Sequence, residues 1–255
     1  MGSQLRRLRH ARDLTAKQVG GDYLDCSESL LYSVENGTRV LGRLALLGLV
    51  RDVYGREDLA EPMARLLPNR SDRSEQSPST CLAHDLATMA TDIRGFVVDQ
   101  IPELLQAPGY ALAQYRAAGY SERDAGILTE SRLDRQARIL ELDEPPMSRV
   151  IVTQGAIDRA RTIRGQLGLI QARSRHPSIQ LVMVPHTAGP HFSFASYAVI
   201  TIDPLDPVLH LSTAIGDGPL VDDPDDVRLA ISRWESTARL AMSESDTADY
   251  IANVM

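Results

Sequence analysis

The first part of the chain carries apolar residues at helical spacing, interrupted by short polar and glycine-containing stretches. In residues 4–12, Leu5 and Leu8 fall on one side of a predicted helix and the arginines fall on the outer side. Thr15 is predicted to cap the next helix, because its hydroxyl can accept a hydrogen bond from a free backbone N–H of the first turn. Gly20-Gly21 is predicted to end or loosen that helix, since glycine is unfavourable in a helix interior.

A third helix is predicted to start at Ser27 and to end at Glu35-Asn36-Gly37, where Gly37 occupies the usual position of a left-handed C-cap. Its inner face carries Leu30, Leu31 and Val34. Two more helices are predicted at 38–54 and 57–67. The pattern is typical of a helix–turn–helix domain over residues 1–68, in which the third helix enters the DNA major groove.

Beyond residue 80 the apolar pattern changes to a mixture of helices and strands. Residues 69–80 are polar and aperiodic, and we interpret them as a linker or exposed loop. Strands are predicted at the end of 82–99 and at 149–152, 179–185, 197–202 and 208–211, with helices after Pro108, at 121–142, at 162–175 and from Asp222–Asp226 onward. The predicted fold class is therefore α+β: an all-helical helix–turn–helix domain, then a mixed α/β domain over 81–255 with a small sheet flanked by helices.

Several segments resemble one family of regulators. LRRLRHARDLT and the later LLYSVENGTR are similar to Xre (Cro/C1-type) helix–turn–helix proteins. IPELLQAPGYA, ESRLDRQARIL, IQLVMVPHTAGPH and ESDTADYI are similar to segments of actinobacterial regulators that join an Xre domain to a C-terminal domain of unknown function. The resemblance implies a transcriptional regulator that binds double-stranded DNA as a homodimer. The second domain would then dimerise, sense a small-molecule ligand or receive a small partner protein, and the resemblance implies the last two without showing which.

Composition and charge limit the classes of function. The chain has 255 residues and no apolar run near the roughly 20 residues that cross a bilayer, and basic residues crowd positions 6–12 where a signal peptide would be apolar. We therefore expect a cytoplasmic protein without membrane contact. Residues 1–55 contain eight Arg or Lys and six Asp or Glu, a net charge of +2, whereas the whole chain carries −7. A weakly basic N-terminal segment followed by an acidic remainder is the charge distribution expected of a protein that contacts DNA with its N-terminal end only.

The candidate DNA-binding residues lie on the second and third predicted helices and just beyond them. They are Lys17, Ser27, Glu28, Ser29, Tyr32, Ser33, Arg39 and Arg43. The third helix departs from the family pattern, because Glu28 is acidic and Ser33 stands where an arginine is common. One extra residue between Gly20 and Asp25 is also expected to disturb the turn.

The second domain carries no specific catalytic or cofactor motif: P-loop, GxGxxG, HExxH and GxSxG patterns are all missing from the sequence. We expect no cofactor and no metal, since Cys26 and Cys81 are far apart. The most suggestive groups are three histidines and the aromatic residues near them, which are the candidate ligand-binding residues: His186, His191, Phe192, Phe194, Tyr197, His210 and Trp234. Equally, the histidines fit hydrogen-bonded positions at strand ends, and the aromatic residues fit the core.

Three hypotheses stay open at this point. The first is a cytoplasmic transcriptional regulator controlled by a small molecule or partner protein at the C-terminal domain. The second is an enzyme of specialised metabolism that evolved from such a regulator, with a degenerate helix–turn–helix and His186, His191 and His210 as catalytic residues. The third is a scaffold that no longer binds DNA.

Overall fold

The N-terminal region is a compact group of short helices. The computed structural model describes residues 1–24, 26–67, 86–191, 195–213 and 216–255. In this part of the chain the N-terminal helices are α1 Gly2–Ala11, α2 Ala16–Gln18, α3 Glu28–Glu35, α4 Arg43–Gly48 and α5 Glu57–Arg65. Helix α2 continues into a π-helical turn, Val19–Tyr23, and α4 continues into another, Leu49–Val53.

The second region is a six-stranded mixed sheet flanked by helices. Its strands are β1 Asp92–Val97, β2 Met147–Thr153, β3 Ile179–Val184, β4 Tyr197–Thr201, β5 Val208–Thr213 and β6 Gly216–Val221, in the spatial order β3-β2-β1-β4-β5-β6. Its helices are α6 Pro108–Ala117, α7 Glu122–Leu140, α8 Gln154–Ala160, α9 Gln166–Arg173, α10 Pro224–Ala238 and α11 Glu244–Val254. Strands β1, β2 and β3 are parallel. Strand β4 pairs antiparallel with β1, and β5 and β6 follow, each antiparallel to the strand before it. The predicted fold class is confirmed.

The two faces of the sheet pack against different helices, because successive side chains of a strand point to opposite faces. On one face, Phe96 and Ile151 form a buried cluster with Val227 and Ala230 of α10. On the other face of the parallel half, Val152 and Met183 pack with α8, α9 and α11 in a second cluster.

The N-terminal helices cover the remaining surface, which is the other face of the antiparallel half. Ile200, Ile202 and Leu205 belong to the same buried cluster as apolar residues of α1 to α5 and the π-helical turns, such as Leu5, Leu31, Leu49 and Met63. The helix–turn–helix therefore shares its hydrophobic core with the sheet. Residues 69–80, the predicted linker, lie outside the described residues.

Polar contacts strengthen this junction at the start of α1. The Ser3 hydroxyl donates to the Asp222 carbonyl oxygen at 2.7 Å, and the Ser3 backbone N–H donates to Asp222 Oδ2 at 3.2 Å. The Met1 amino group lies 2.5 Å from the same carboxylate oxygen. Arg7 forms an ion pair with Asp206 at 2.6 Å. Helix α1 thus connects the two regions.

Several predicted boundaries were wrong for local reasons. The helix predicted over 38–54 begins at Arg43, because Gly37 turns the chain at φ 74° and the backbone N–H groups of Thr38 and Arg39 donate to the Ser33 carbonyl. The helix predicted over 162–175 begins at Gln166, and α8 precedes it. ESDTADYI is itself a helix, α11, and β6 was not predicted because glycine and proline interrupt its pattern.

Side chains complete the backbone hydrogen bonding of the segment 101–107, which contains the 3₁₀ helix Glu103–Leu105. The Tyr110 hydroxyl accepts from the Ile101 N–H, and Gln166 accepts from the Ala107 N–H while donating to the Leu105 carbonyl. Gln136 Nε2 donates to the Gln106 carbonyl at 3.1 Å. Two segments that resemble the family of regulators, IPELLQAPGYA and ESRLDRQARIL, are therefore parts of one hydrogen-bonded network.

Replacing Gln166 with leucine should destabilise the protein, because the side chain is fully buried and pairs two backbone groups. Each buried group left unpaired costs about 1–3 kcal/mol. We expect Gln166→Leu to lower the free energy of unfolding in urea by about 2–4 kcal/mol. The exposed control Glu141→Gln should stay within about 0.5 kcal/mol of the parent protein. Equal stability of the two variants would contradict the role assigned to Gln166.

Asp222 gives a pH-dependent prediction for the junction. Burial raises the pKa of the Asp222 carboxyl, but the Met1 ammonium and the hydrogen bonds from Ser3 outweigh it, so that the pKa lies below its usual range. A lowered carboxyl pKa contributes stability that is present above the unfolded-state pKa of about 4 and is lost as the pH falls through the folded-state pKa.

We therefore expect Asp222→Asn to lower the free energy of unfolding by about 1–2 kcal/mol at neutral pH. The difference from the parent protein should shrink below about pH 4. Urea unfolding at several pH values measures it, and the exposed Asp249→Asn is the matched control. A deficit that stays constant into strong acid would argue against an electrostatic contribution.

Candidate DNA-binding surface

The start of α2 is fixed by a capping box. Thr15 Oγ1 accepts from the Gln18 N–H at 3.2 Å, and Gln18 Oε1 accepts from the Thr15 N–H at 2.9 Å. This reciprocal pairing satisfies two backbone donors at the helix end. It leaves Lys17 exposed on the first turn of the helix.

The turn between α2 and α3 is built around a π-helical turn. The Cys26 N–H donates to the Gly20 carbonyl at 2.8 Å, and a Cβ on Gly20 would lie 2.9 Å from the Cys26 carbonyl oxygen. The backbone segments therefore approach too closely for a side chain at position 20. A π-helical turn contains one more residue than the α-helical equivalent. The π-helical turn Val19–Tyr23 overlaps the stretch from Gly20 to Asp25, where the sequence predicts one extra residue. Asp25 itself lies outside the described residues.

Helix α3 has a buried inner face and an open outer face. Ser27 caps it by accepting from the Leu30 N–H at 3.3 Å. Leu31 and Val34 are buried on the inner face. On the outer side Glu28, Ser29 and Tyr32 are exposed, whereas Ser33 is half-buried and donates to the Ser29 carbonyl at 2.8 Å. Three of the four candidate side chains on this face are therefore fully exposed, and Ser33 is not.

A buried ion pair anchors α3 to α1. Arg9 Nε lies 2.6 Å from Glu35 Oε1, and Arg9 Nη2 lies 2.9 Å from Glu35 Oε2, so the two planar groups pair through two parallel hydrogen bonds. Arg9 Nη1 also donates to the Leu14 carbonyl at 2.9 Å. The Glu35 side chain is fully buried and that of Arg9 is 5% exposed. The hydrogen bonds to Glu35 raise the pKa of Arg9, in spite of desolvation.

Two predictions about arginines need correction. Arg9 does not point outward from α1 but forms this buried pair with Glu35. Arg7 forms an ion pair with Asp206 of the second region. Among the candidate contacts, Arg43 pairs with Glu61 at 2.5 Å and donates to the Ala64 carbonyl. An arginine already paired on its own domain is a weaker phosphate ligand than a free one.

The surface has few unpaired cations. Of the eight arginines and lysines in residues 1–55, Lys17 and Arg39 are those for which the described residues provide no ion pair or side-chain hydrogen bond. Arg39 is exposed, and its backbone N–H is bound to the Ser33 carbonyl at the end of α3. Lys17 and Arg39 thus lie beside the two ends of the helix–turn–helix unit.

An acidic group stands on the outer face of α3. Glu28 and Tyr32 lie one helical turn apart, and a hydrogen bond to Glu28, together with its charge, raises the pKa of Tyr32. Both residues line a shallow groove with His10, Asp13 and Thr15. A carboxylate here repels phosphates and accepts hydrogen bonds from amino groups.

The predicted histidine group of the second domain is not brought together. His186 follows β3, is exposed, and places Nε2 3.6 Å from Asp158 Oδ2. His191 Nδ1 lies 3.0 Å from the Gly189 carbonyl oxygen, and its ring packs edge-on against Phe96. His210 pairs with Ala198 and Leu220 in the sheet, on the face toward the N-terminal helices. Because Phe96 lies on the α10 face, His191 and His210 are on opposite sides of the sheet.

The aromatic candidates pack α10 onto the sheet. The Tyr197 hydroxyl donates to the Ala230 carbonyl at 3.3 Å, and burial raises the pKa of Tyr197 to about 12. Trp234 Nε1 donates to the Gly95 carbonyl at 2.9 Å. Phe192 and Phe194 lie outside the described residues. A ligand-binding role for these residues stays a prediction, and the geometry does not support the enzyme hypothesis.

The described residues contain neither a metal-binding cluster nor a membrane-spanning helix. No group of three or more His, Cys, Asp or Glu side chains there is arranged to bind a metal ion. No helix in the same ranges has the length and apolar character needed to span a bilayer.

Fold and surface together define a helix–turn–helix protein whose recognition unit is joined to an α/β domain. Residues 1–62 match a helix-turn-helix domain family, and residues 81–253 match the domain of unknown function DUF5753. The second match covers more than half of the chain, and the protein belongs to the DUF5753 family. The predicted order of a helix–turn–helix and a C-terminal domain of unknown function is confirmed. No curated protein and no solved structure matches the chain.

Sequence analysis missed the Arg9–Glu35 pair. The signal was indirect: Glu35 begins the Glu-Asn-Gly ending of α3, and Arg9 is one of three arginines on α1. Helical periodicity places an arginine outward by default, and it does not identify a partner 26 residues away. The close approach of α1 and α3 also requires Gly2, where a Cβ would lie 2.5 Å from the Glu35 carbonyl oxygen.

Breaking the buried pair should be costly. Removal of Glu35 leaves the buried Arg9 charge unpaired, and removal of Arg9 leaves Glu35 with only the more distant Arg6 Nε, 3.4 Å from Oε2. Breaking a buried ion pair costs about 3–5 kcal/mol. We expect Arg9→Met and Glu35→Leu each to lower the free energy of unfolding by that amount. The double variant should recover part of the loss, because it buries no unpaired charge. Urea denaturation measures all three variants, with exposed Arg51→Gln as the control. Additive losses in the double variant would show that the pair is not coupled.

Proposed function

We propose that this protein is a sequence-specific DNA-binding transcriptional regulator that acts in the cytoplasm. The observation that carries the proposal is the two-sided nature of α3. Its inner side is fixed by Leu31, Val34 and the Arg9–Glu35 pair, and its outer side is open. A rigidly mounted helix with exposed polar side chains is the arrangement that places base contacts in a major groove.

The unpaired cations and the polar side chains are suited to different contacts with DNA. Lys17 and Arg39 are suited to phosphate contacts, which position a protein on DNA without reading its sequence. Ser27 and Ser29 can donate to or accept from base edges, and Glu28 can accept from the N4 amino group of cytosine. Tyr32 and Ser33 complete the candidate set on α3, and Arg43 needs to leave Glu61 before it can bind a phosphate.

The small number of unpaired cations favours binding as a homodimer. Each phosphate contact contributes about −0.9 to the slope of log K against log salt concentration. Two cations per copy therefore give a slope of about −2, and a dimer gives about −4. Two copies on half-sites one helical turn apart would double both the phosphate and the base contacts.

Control by the second domain follows from the shared core. Helix α1 contacts α3 through Arg9–Glu35 and contacts the sheet region through Ser3 and Arg7. A small molecule or a partner protein that binds the second domain can change DNA binding if it prefers one arrangement of these contacts. The effect of the ligand on DNA binding cannot exceed the difference between its affinities for the two arrangements.

Fluorescence anisotropy tests the proposal directly. The purified full chain is titrated against its own upstream DNA and against a scrambled duplex at two salt concentrations. We expect selective binding to the upstream duplex, weakened by salt with a slope near −4 for a dimer. Equal weak binding to both duplexes would overturn the proposal.

Variants separate phosphate contacts from base contacts. Lys17→Gln should weaken binding to every duplex alike and reduce the salt slope by about 1 for each bound copy. Glu28→Gln should instead change the preference among operator variants at one base pair, by about 1–3 kcal/mol. Arg116→Gln removes one exposed, paired charge far along the chain and is the matched control for Lys17→Gln. A loss of selectivity in Lys17→Gln would contradict its assignment to phosphate.

A further inference from the structure

A small cavity lies between α9 and α11, beside strand β3. Its volume is about 160 Å³, and its lining consists of Gln171, Ser174, Arg175, Leu181, Glu244, Thr247, Ala248 and Ile251. Leu181 and Ile251, which are almost completely buried, form its apolar part. Glu244 and Thr247 come from the ESDTADYI segment, whose role the DNA-binding surface does not explain.

The walls of the cavity are fixed by hydrogen bonds. Thr247 Oγ1 accepts from the Met183 N–H at 3.1 Å, and the Met242 N–H donates to the Met183 carbonyl at 2.8 Å. The start of α11 is therefore attached to β3 from both sides of Met183. The Ser174 N–H donates to the Ile170 carbonyl at 2.8 Å, which fixes the end of α9. The cavity is a preformed feature of the packing.

Its polar lining contains groups that lack partners. The Ser174 hydroxyl is buried and has no hydrogen-bond partner within the described residues. Arg175 and Glu244 are exposed beside the cavity, and neither joins an ion pair in the described part of the chain. The lining thus supplies one cation, one anion and one hydroxyl around an apolar floor.

We infer that this cavity binds a small aliphatic α-amino acid. Arg175 would bind the carboxylate, Glu244 the ammonium group, and Leu181 with Ile251 the hydrocarbon side chain. The Ser174 hydroxyl can gain a partner by rotation about χ1. The volume fits this class, because an apolar cavity of about 150 Å³ holds benzene, whereas drug-sized ligands need about 300 Å³ or more.

Isothermal titration calorimetry of the full chain without DNA tests the inference independently of the proposed regulator function. The probes are L-leucine, 4-methylpentanoate, which lacks the ammonium group, and 3-methylbutylamine, which lacks the carboxylate. We expect leucine to bind, and each singly charged probe to bind at least about tenfold more weakly.

Charge variants identify the two ionic contacts. Arg175→Gln should weaken the binding of leucine at least about tenfold and leave the binding of 3-methylbutylamine unchanged. Glu244→Gln should weaken the binding of leucine and leave the binding of 4-methylpentanoate unchanged. Arg164→Gln, an exposed arginine outside the cavity, should have no effect. If 4-methylpentanoate binds as tightly as leucine, the zwitterion assignment is overturned.

Filling the cavity gives a test that does not depend on the charged side chains. Ala248 is exposed at the lining, so Ala248→Trp should fold normally and abolish leucine binding. Circular dichroism and thermal unfolding confirm that the variant is folded. Leucine binding that survives in Ala248→Trp, or that is missing from the parent protein up to about 10 mM, overturns the inference.

Discussion

The pairing of Arg9 with Glu35 is the interaction on which the orientation of the recognition helix depends. Both side chains are removed from water, and two parallel hydrogen bonds at 2.6 and 2.9 Å compensate their charges. A buried pair of this kind is specific in geometry, because either charge is unfavourable in the core without the other. Arg9 also binds the Leu14 carbonyl, which ends the segment between α1 and α2. One guanidinium therefore joins α1, the start of the helix–turn–helix and the end of α3.

The same helix α1 connects this pair to the second domain. Ser3 and Arg7 contact Asp222 and Asp206, which flank the antiparallel half of the sheet, and apolar side chains of both regions share one core. The recognition unit is thus mounted on the sheet. A change at the sheet alters DNA binding only if it shifts the equilibrium between two arrangements of α1. The physical route for such a change is short, since α1 contacts both α3 and the end of β6.

Local signals in the sequence predict most of the helices and strands. Contacts between residues distant in sequence were not predicted. Thr15 was correctly expected as a cap, and Ser27 and Ser121 cap the helices that were predicted to start at them. A cap depends on a side chain and a backbone group a few residues apart. The β-branched runs gave β2 to β5. Strand β6 was missed because Gly216, Gly218 and Pro219 hide its alternation, and it pairs with β5 at the edge of the sheet. The outward assignment of Arg9 failed because its partner is distant in sequence. On the candidate surface, the positions on α3 follow from periodicity, but the pairing of Arg43 with Glu61 does not.

The separation of His191 and His210 shows why proximity in sequence is a poor guide to a site in a mixed sheet. The two histidines lie on opposite faces, where they meet α10 and the N-terminal helices respectively. Many interior polar groups of the second domain, such as Gln136 and Gln166, are committed to backbone hydrogen bonds. Within residues 1–55, Lys17 and Arg39 are the cations without a partner in the described part of the chain, and Glu28 adds a negative charge between them. Because so few cations are free to contact phosphates, affinity for a duplex has to come mainly from base contacts. A duplex with the right bases is then bound selectively, and a duplex without them is bound negligibly.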